Sequence, residues 1–437
     1  MRVMVFICLF LLTIFSQPAF AYLDPGSGSM LVAGLVGLLA SLLFFLKGLF
    51  YKSRRAVLGL MGRTAKEDQS RHQLVFYSEG RQYWNTFKPV IDELVGRGEK
   101  CAYLTSDEQD PGLLYASEFV STKHIGTGAK AYAQLTILEA DVCAMTTPGL
   151  DVLQIKRSKG VSHYAHLLHA PTDVGTYKQY SFDYFDSIFL SGAHQEKSLR
   201  KLEGLRGTRR KLLPMTGCLY YDEMQRQAKE LEAAPVAGSP VTVLIAPTWG
   251  LNGLLKKFGA RILTPLLEKQ WHVIVRPHPQ SYISERELIE GLQEKLTHYP
   301  NLQWDRDNDG TQSMARAHVM VSDLSGIVFD FAFLFEKPVV TLKFDLNKLG
   351  LEAADIPWDL WELTVLDTIG RRIEEQALDA LPTIIEQEMS LPNRGQIIRR
   401  LRDESVANFG CAAKQVANEL LRIRDDVRNT QAGSQHA

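Results

Sequence analysis

From residue 73 onward, short β-branched or aromatic runs alternate with amphipathic segments. That rhythm is the mark of parallel sheets covered by helices. Runs at 74–78, 101–105, 142–145, 163–168 and 187–191 read as strands, with helices expected over 84–95, 129–139 and 195–202. A stretch rich in Ala, Pro, Gly and Ser at 233–240 reads as a linker. The rhythm then restarts, with strands expected at 241–245, 271–275, 319–321 and 339–343, and helices at 260–269, 284–296 and 325–335. The expectation is therefore an α/β chain with two Rossmann-like doubly wound domains, 73–232 and 241–370, and a cleft facing the carboxyl ends of both sheets. The tail over 371–437 is charged and reads as helical, either packed back across the junction or projecting into solvent.

The first fifty residues are a different material. Arg2 precedes an apolar run over 3–15, and Ala19-Phe20-Ala21 supplies a small-residue cleavage pattern, so 1–21 reads as a signal peptide or a first membrane helix. A polar, turn-rich segment at 22–29 follows. Residues 30–50 are then apolar except for Lys47. As a helix this stretch reaches about 31 Å at ~1.5 Å per residue, which matches a hydrocarbon core of roughly 30 Å. Lys52, Arg54 and Arg55 open a basic juxtamembrane linker, 51–72, and by the positive-inside rule they place the rest of the chain in the cytoplasm. The expected location is the inner membrane, with the large part of the chain facing the cytosol.

Composition excludes several classes. With 49 basic and 50 acidic side chains, nothing favours a nucleic-acid partner. The five cysteines are scattered, without metal-ligand spacing or a disulfide framework. His163 and His166 on an expected strand and His169 just past it lie three apart without a nearby Cys or Glu, so no metal is assigned to them. A Rossmann or Walker glycine loop and a Gly-x-Ser-x-Gly elbow are both missing, which removes weight from NAD enzymes, P-loop ATPases and hydrolases. No cofactor is expected.

The residues that carry chemistry sit at expected strand ends. The expected strand over 319–321 runs into a small-polar turn, Ser322, Asp323, Ser325 and Gly326, before an apolar helix, an arrangement that offers hydroxyls and free backbone N–H groups to a phosphate. The same donors serve an ordinary helix cap. Asp330 stands among Phe329, Phe331 and Phe333, where a carboxylate needs a partner or an exposed edge. The strand over 271–275 ends in Arg276-Pro277-His278-Pro279: Arg276 suits a diphosphate, and two prolines restrict the backbone around His278. Thr248, in Ala246-Pro247-Thr248, follows another strand and suits a phosphate or ribose, or is simply part of a βα loop. His169, just past a strand, reads as a general base at the cleft.

Taken in order, Ala246-Pro247-Thr248, Arg276-Pro277-His278-Pro279 and Ser322-Asp323-Leu324-Ser325 with Phe329-Asp330-Phe331 resemble the CDP-glycerol glycerophosphotransferase family, the teichoic-acid polymerase-like enzymes of two-domain GT-B architecture. Three departures stand out. Ala170 follows His169 where the family has glycine, Gly326 replaces a second serine, and the 216–222 segment lacks the family's Pro-Arg. The resemblance implies that glycerol-phosphate moves from CDP-glycerol to a hydroxyl of a lipid-linked or polymeric cell-surface acceptor, with release of CMP. It further implies His169 and His278 as catalytic residues, and Arg276, Thr248, Ser322, Asp323, Ser325, Gly326 and Asp330 as the substrate-binding set. A UDP-sugar-dependent GT-B glycosyltransferase, or a non-catalytic nucleotide-binding membrane protein of a polysaccharide assembly complex, would use the same cleft.

Overall fold

The computed structural model describes residues 71–231, 240–307, 310–344 and 346–435. The expected leader, the expected span at 30–50 and all but the last residue of the expected linker lie outside them. Among the described residues no helix is long and apolar enough to cross a membrane.

His72–Ser78 (β1), Cys101–Thr105 (β2), Val120–His124 (β3), Ala140–Met145 (β4), Val161–Leu167 (β5) and Ser187–Phe189 (β6) form one sheet. Its order is β3-β2-β1-β4-β5-β6, parallel throughout. Thr242–Ile245 (β7), His272–Val275 (β8), Leu302–Trp304 (β9), Val319–Ser322 (β10), Val339–Leu342 (β11) and Gly370–Ile373 (β12) form the second. Its order is β12-β11-β10-β7-β8-β9, again all parallel. Both sheets are doubly wound, and the winding reverses between β1 and β4 in one and between β7 and β10 in the other. Leu74 pairs with Val142 across the first reversal, and Met320 with Leu244 across the second. Ligands of open α/β sheets bind outside the carboxyl ends of the strands at such reversals.

Strands β3, β9 and β12 lack a counterpart in the sequence reading, and all three are sheet edges. An edge strand has one neighbour and needs little apolar cover. Accordingly β3 buries only Val120, and β12 only Gly370 and Ile373.

The helices that frame the sheets include α1 (Trp84–Gly96), α2 (Ala193–Arg206), α3 (Leu219–Leu231), α4 (Ile327–Phe335), α5 (Trp361–Ile369) and α6 (Ala412–Gln435). Parallel strands are buried on both faces, so successive residues of β1 serve opposite cores. Leu74 and Phe76 pack under Phe87, Val90 and Leu94 of α1, and the same core takes Val416, Leu420 and Ile423 from α6. The tail therefore returns to the first sheet. Its first amides, Ala412 N and Ala413 N, donate to the Asp222 carboxylate of α3 at 2.9 and 2.7 Å, a cap supplied from far away in sequence. Gly217, at φ 98°, lies against the Ala407 carbonyl in a conformation and a space that favour glycine, which lets the returning chain pass close to the end of β6.

The opposite face carries Val75, Tyr77 and Met145, and Ala353, Ile356 and Leu360 pack against it from the segment after β11. Arg206, at the end of α2, fixes that segment. Its guanidinium donates to Asp183 (2.8 Å), Asp355 (2.7 Å) and the fully buried Glu352. Burial raises the Glu352 carboxyl and Arg206 partly offsets the rise, while hydrogen bonds from Arg206 and Gln179 lower Asp355. Truncating one member of a buried ion pair leaves a charge without compensation, at a cost of about 3–5 kcal/mol. Arg206→Ala should therefore lower the unfolding free energy by about that amount in urea titrations, and adding Glu352→Gln should recover part of the loss.

Candidate functional site

The loops after β7 and β10 meet at the second sheet's reversal and are tied by two side chains. Ser322 Oγ donates to the Ala246 carbonyl at 2.6 Å. The Asp323 carboxylate accepts Thr248 N at 2.8 Å and Leu254 N at 3.0 Å. Burial pushes Asp323 up to about 6, against the pull of those amides. Ser322 and Asp323 are thus engaged inside the fold, and they set the shape of the two loops. Ser325 is half-buried and Gly326 exposed, immediately ahead of α4. No side chain caps that helix, so its first-turn amides carry positive partial charge towards the reversal.

Asp330 sits one turn inside α4. Burial pushes its carboxyl up to about 7, and the phenol of the buried Tyr221 partly offsets that rise. The folded state therefore holds this proton more tightly than the unfolded chain, whose ordinary value is 3.8.

Beside β7, strand β8 delivers the Arg-Pro-His-Pro turn. Arg276 N donates to the Ile245 carbonyl at 2.8 Å. Its guanidinium donates to Asp305 at 2.8 Å, and Ser313 Oγ donates to the same carboxylate oxygen at 2.6 Å. Gly310 packs so closely on the guanidinium that a Cβ there would lie 2.7 Å from Nε. Most of the Arg276 charge is accordingly balanced within the protein. His278 is exposed, near the half-exposed Trp249 ring at 6.4 Å, and partial burial lowers its pKa. Its Nδ1 accepts Gln280 N at 3.1 Å, so the neutral ring carries its proton on Nε2.

His169 stands just beyond the carboxyl end of β5, in the other sheet. Its ring meets Tyr83 edge-on at 5.2 Å and Tyr177 at 6.5 Å. The Nδ1 atom is buried without a hydrogen-bond partner, and burial pushes the ring down to about 4, so it is neutral at physiological pH. The following loop is strapped to α2: Gln195 Nε2 donates to the Ala170 and Thr172 carbonyls, and His194 bonds the Pro171 carbonyl at 2.6 Å. His163 bonds Ser187 at 2.9 Å, and His166 is buried among Tyr177, Phe182 and Phe185, so both serve packing.

Thr248, Arg276, His278, Ser322, Asp323, Ser325 and Gly326 are thereby gathered on three neighbouring strand ends, β8, β7 and β10, with Asp330 one turn away. His169 belongs to the first sheet, beyond the carboxyl end of β5. The two sheets' layers are joined by Trp361, which stacks on His194 at 4.3 Å and packs on Phe329 at 5.1 Å. Asp173 N also donates to Glu362 at 2.9 Å, and burial pushes Glu362 up to about 7. Sequence reasoning missed Asp305, Tyr221, Trp361 and Glu362. Their only signal was a polar or aromatic residue in an apolar setting, which names no partner.

Two reversed parallel sheets whose carboxyl edges carry the polar loops define a GT-B-like α/β fold. Solved structures agree. The wall teichoic acid polymerase TagF superposes with a TM-score of 0.54 at 14% identity, covering 90% of this chain and 99% of that one. The UDP-N-acetylglucosamine 2-epimerase from Rickettsia bellii gives 0.53 at 13% identity, covering 82% and 99%. The UDP-GlcNAc 2-epimerase from Methanocaldococcus jannaschii, in complex with UDP-GlcNAc and UDP, gives 0.52 at 12%, covering 80% and 99%. No curated protein matches. Residues 201–351 match the family described as CDP-Glycerol:Poly(glycerophosphate) glycerophosphotransferase, which bears out the resemblance read from the three motifs. Over that segment the chain is CDP-glycerol glycerophosphotransferase-like. The match takes in Thr248, Arg276, His278 and the 322–330 segment, and His169 lies outside it.

The contribution of Asp330 to stability is full below pH 3.8 and is lost as the pH rises through about 7. Asp330→Asn should remove that slope, so the wild-type urea midpoint should fall relative to the variant's between about pH 4 and about pH 8. Parallel pH profiles would overturn the assignment.

Proposed function

We propose that the chain transfers glycerol-phosphate from CDP-glycerol to a hydroxyl of a lipid-linked or polymeric cell-surface glycan, releasing CMP. The observation that carries this reading is the convergence of the three family motifs on adjacent strand ends, β7, β8 and β10, at one topological reversal.

In this reading residues 241–370 hold the donor and residues 73–232 the acceptor. Ser325, Gly326 and the first amides of α4 take phosphate oxygens, while Thr248 borders the nucleotide. Ser322 and Asp323 hold those loops in register. His278 donates from Nε2 to the diphosphate. Arg276, braced by Asp305, orients the turn and adds its field. Asp330 supports α4 through Tyr221. His169, kept neutral by burial, accepts the proton of the acceptor hydroxyl as its oxygen attacks the glycerol-bearing phosphorus. The bond from that phosphorus to the bridging oxygen breaks, and CMP leaves with the electron pair. The 30–50 segment would anchor the protein in the inner membrane with this site on the cytoplasmic side, next to a soluble donor and a lipid-borne acceptor.

Calorimetric titration with CDP-glycerol, CDP, UDP and UDP-N-acetylglucosamine tests the donor. Cytidine ligands should bind selectively, and binding should weaken in His278→Ala. Uridine preference would favour a sugar transferase instead, and no binding at all would favour a non-catalytic assembly protein. In turnover, His169→Ala should cost about 10²–10⁴-fold in kcat with the fold intact. The acid limb of kcat/KM should fall near pH 4, because burial has moved His169 there from 6.5. A limb at the ordinary histidine value would exclude His169 as the base.

A further inference from the structure

A cavity of about 540 Å³ opens at the other end of the first sheet, between the amino ends of β5 and β6 and the C-terminal half of α6. Leu212, with Ile423 and Val427 of α6, supplies an apolar wall, and the exposed Arg209 and Arg210 line the cavity beside it. His169 stands past the opposite end of β5, so this cavity is separate from the site described above.

We infer that the cavity seats the phosphate head of an anionic phospholipid, with Arg209 and Arg210 on the phosphate and Leu212, Ile423 and Val427 against the first carbons of the lipid. The amino edge of the first sheet then lies on the bilayer surface. This goes beyond the transferase reading and does not depend on it.

Three observations carry the inference. The first is charge. The two carboxylates lining the cavity are already engaged: Asp186 accepts from Arg157 and from Tyr164 N, each at 2.8 Å, and Asp426 pairs with Arg422 at 2.9 Å. Arg209, 87% exposed, reaches Asp186 only at 3.6 Å, and Arg210 pairs with no carboxylate among the described residues. Two guanidinium forks are thus left over, and their geometry matches phosphate oxygens. The second is the apolar wall. Leu212 is 46% exposed, and a free phosphate gains nothing from covering it, whereas the glycerol and first acyl carbons of a lipid do. The third is where the chain arrives. Ser162, on the cavity wall, accepts from Arg71, the first described residue, and from Gln431 at 2.7 Å. Residues 51–70 separate Arg71 from the expected span at 30–50, a reach of at most about 70 Å, so that span would keep this edge near a lipid surface.

The test uses the full chain in lipid nanodiscs made of phosphatidylcholine alone, or of two parts phosphatidylcholine to one part phosphatidylglycerol. Hydrogen exchange is followed in the 207–212 loop and in α6. With two cations near an anionic surface, phosphatidylglycerol should slow exchange in the loop about ten- to thirtyfold over phosphatidylcholine. Arg210→Gln, which breaks no ion pair inside the fold, should reduce that protection about fivefold, and Leu212→Asp should reduce it as well. CDP-glycerol binding should be the same in both variants. Equal exchange in the two kinds of disc, or protection indifferent to both substitutions, would overturn the lipid site. Equal protection by inorganic phosphate in phosphatidylcholine discs would overturn it too, in favour of a free-anion site. Loss of CDP-glycerol binding or turnover in the unmodified chain would count against the transferase reading alone, because the lipid-dependent protection would persist.

Discussion

Burial of both faces of a parallel sheet is the constraint on which the rest of this structure depends. The first sheet cannot satisfy it with its own crossover helices. One face is completed by Val416, Leu420 and Ile423 of α6, and the other by Ala353, Ile356 and Leu360. The first cover follows the second sheet's last strand, and the second comes from the segment between β11 and β12. The chain must therefore cross between the two sheets' layers more than once. The devices that secure the crossings are polar: Asp222 capping α6, Arg206 gripping Glu352 and Asp355, and Glu362 accepting from Asp173. These buried groups are costly unless paired, which makes each of them specific to one arrangement of the chain.

The same economy shapes the site. Side chains of the signature motifs divide into those that face outward and those consumed in holding loops. Ser322 and Asp323 fasten the loops after β7 and β10, and Asp305 fastens Arg276. Outside those ties stand Ser325 and Gly326 at the start of α4, the exposed His278 ring and, at the first sheet, the neutral His169. The phosphate recognition proposed above relies on backbone geometry more than on net side-chain charge, in keeping with a chain whose acidic and basic residues nearly cancel.

Much of the fold was legible before any coordinates. The interior strands β1, β4, β7 and β10 stood out because strands buried on both faces need uninterrupted apolar runs. Edge strands were not legible: Val120–His124 alternates with exposed polar residues, and Leu302–Trp304 is short and half-buried. At the site, the position of Arg276 and His278 at a strand end followed from Pro277 and Pro279. The partner of Arg276 did not, because Asp305 lies on the far side of a helix and a further strand. His166 and His169 illustrate the same limit. Three residues apart, one is walled in by Phe182 and Phe185, while the other packs edge-on against Tyr83 and Tyr177.

By itself, then, the sequence determined the elements and their ends, since local hydrophobic periodicity, turn residues and prolines act over a few neighbours. It also set which motifs sit at those ends, and through them the family they resemble. Tertiary structure alone decided which strand ends lie side by side, that the tail returns to the first sheet, and which carboxylates meet which cations. It also decided the pKa of His169, Asp323 and Asp330. Those outcomes depend on burial and on contacts between residues far apart in the chain, and no local pattern encodes either.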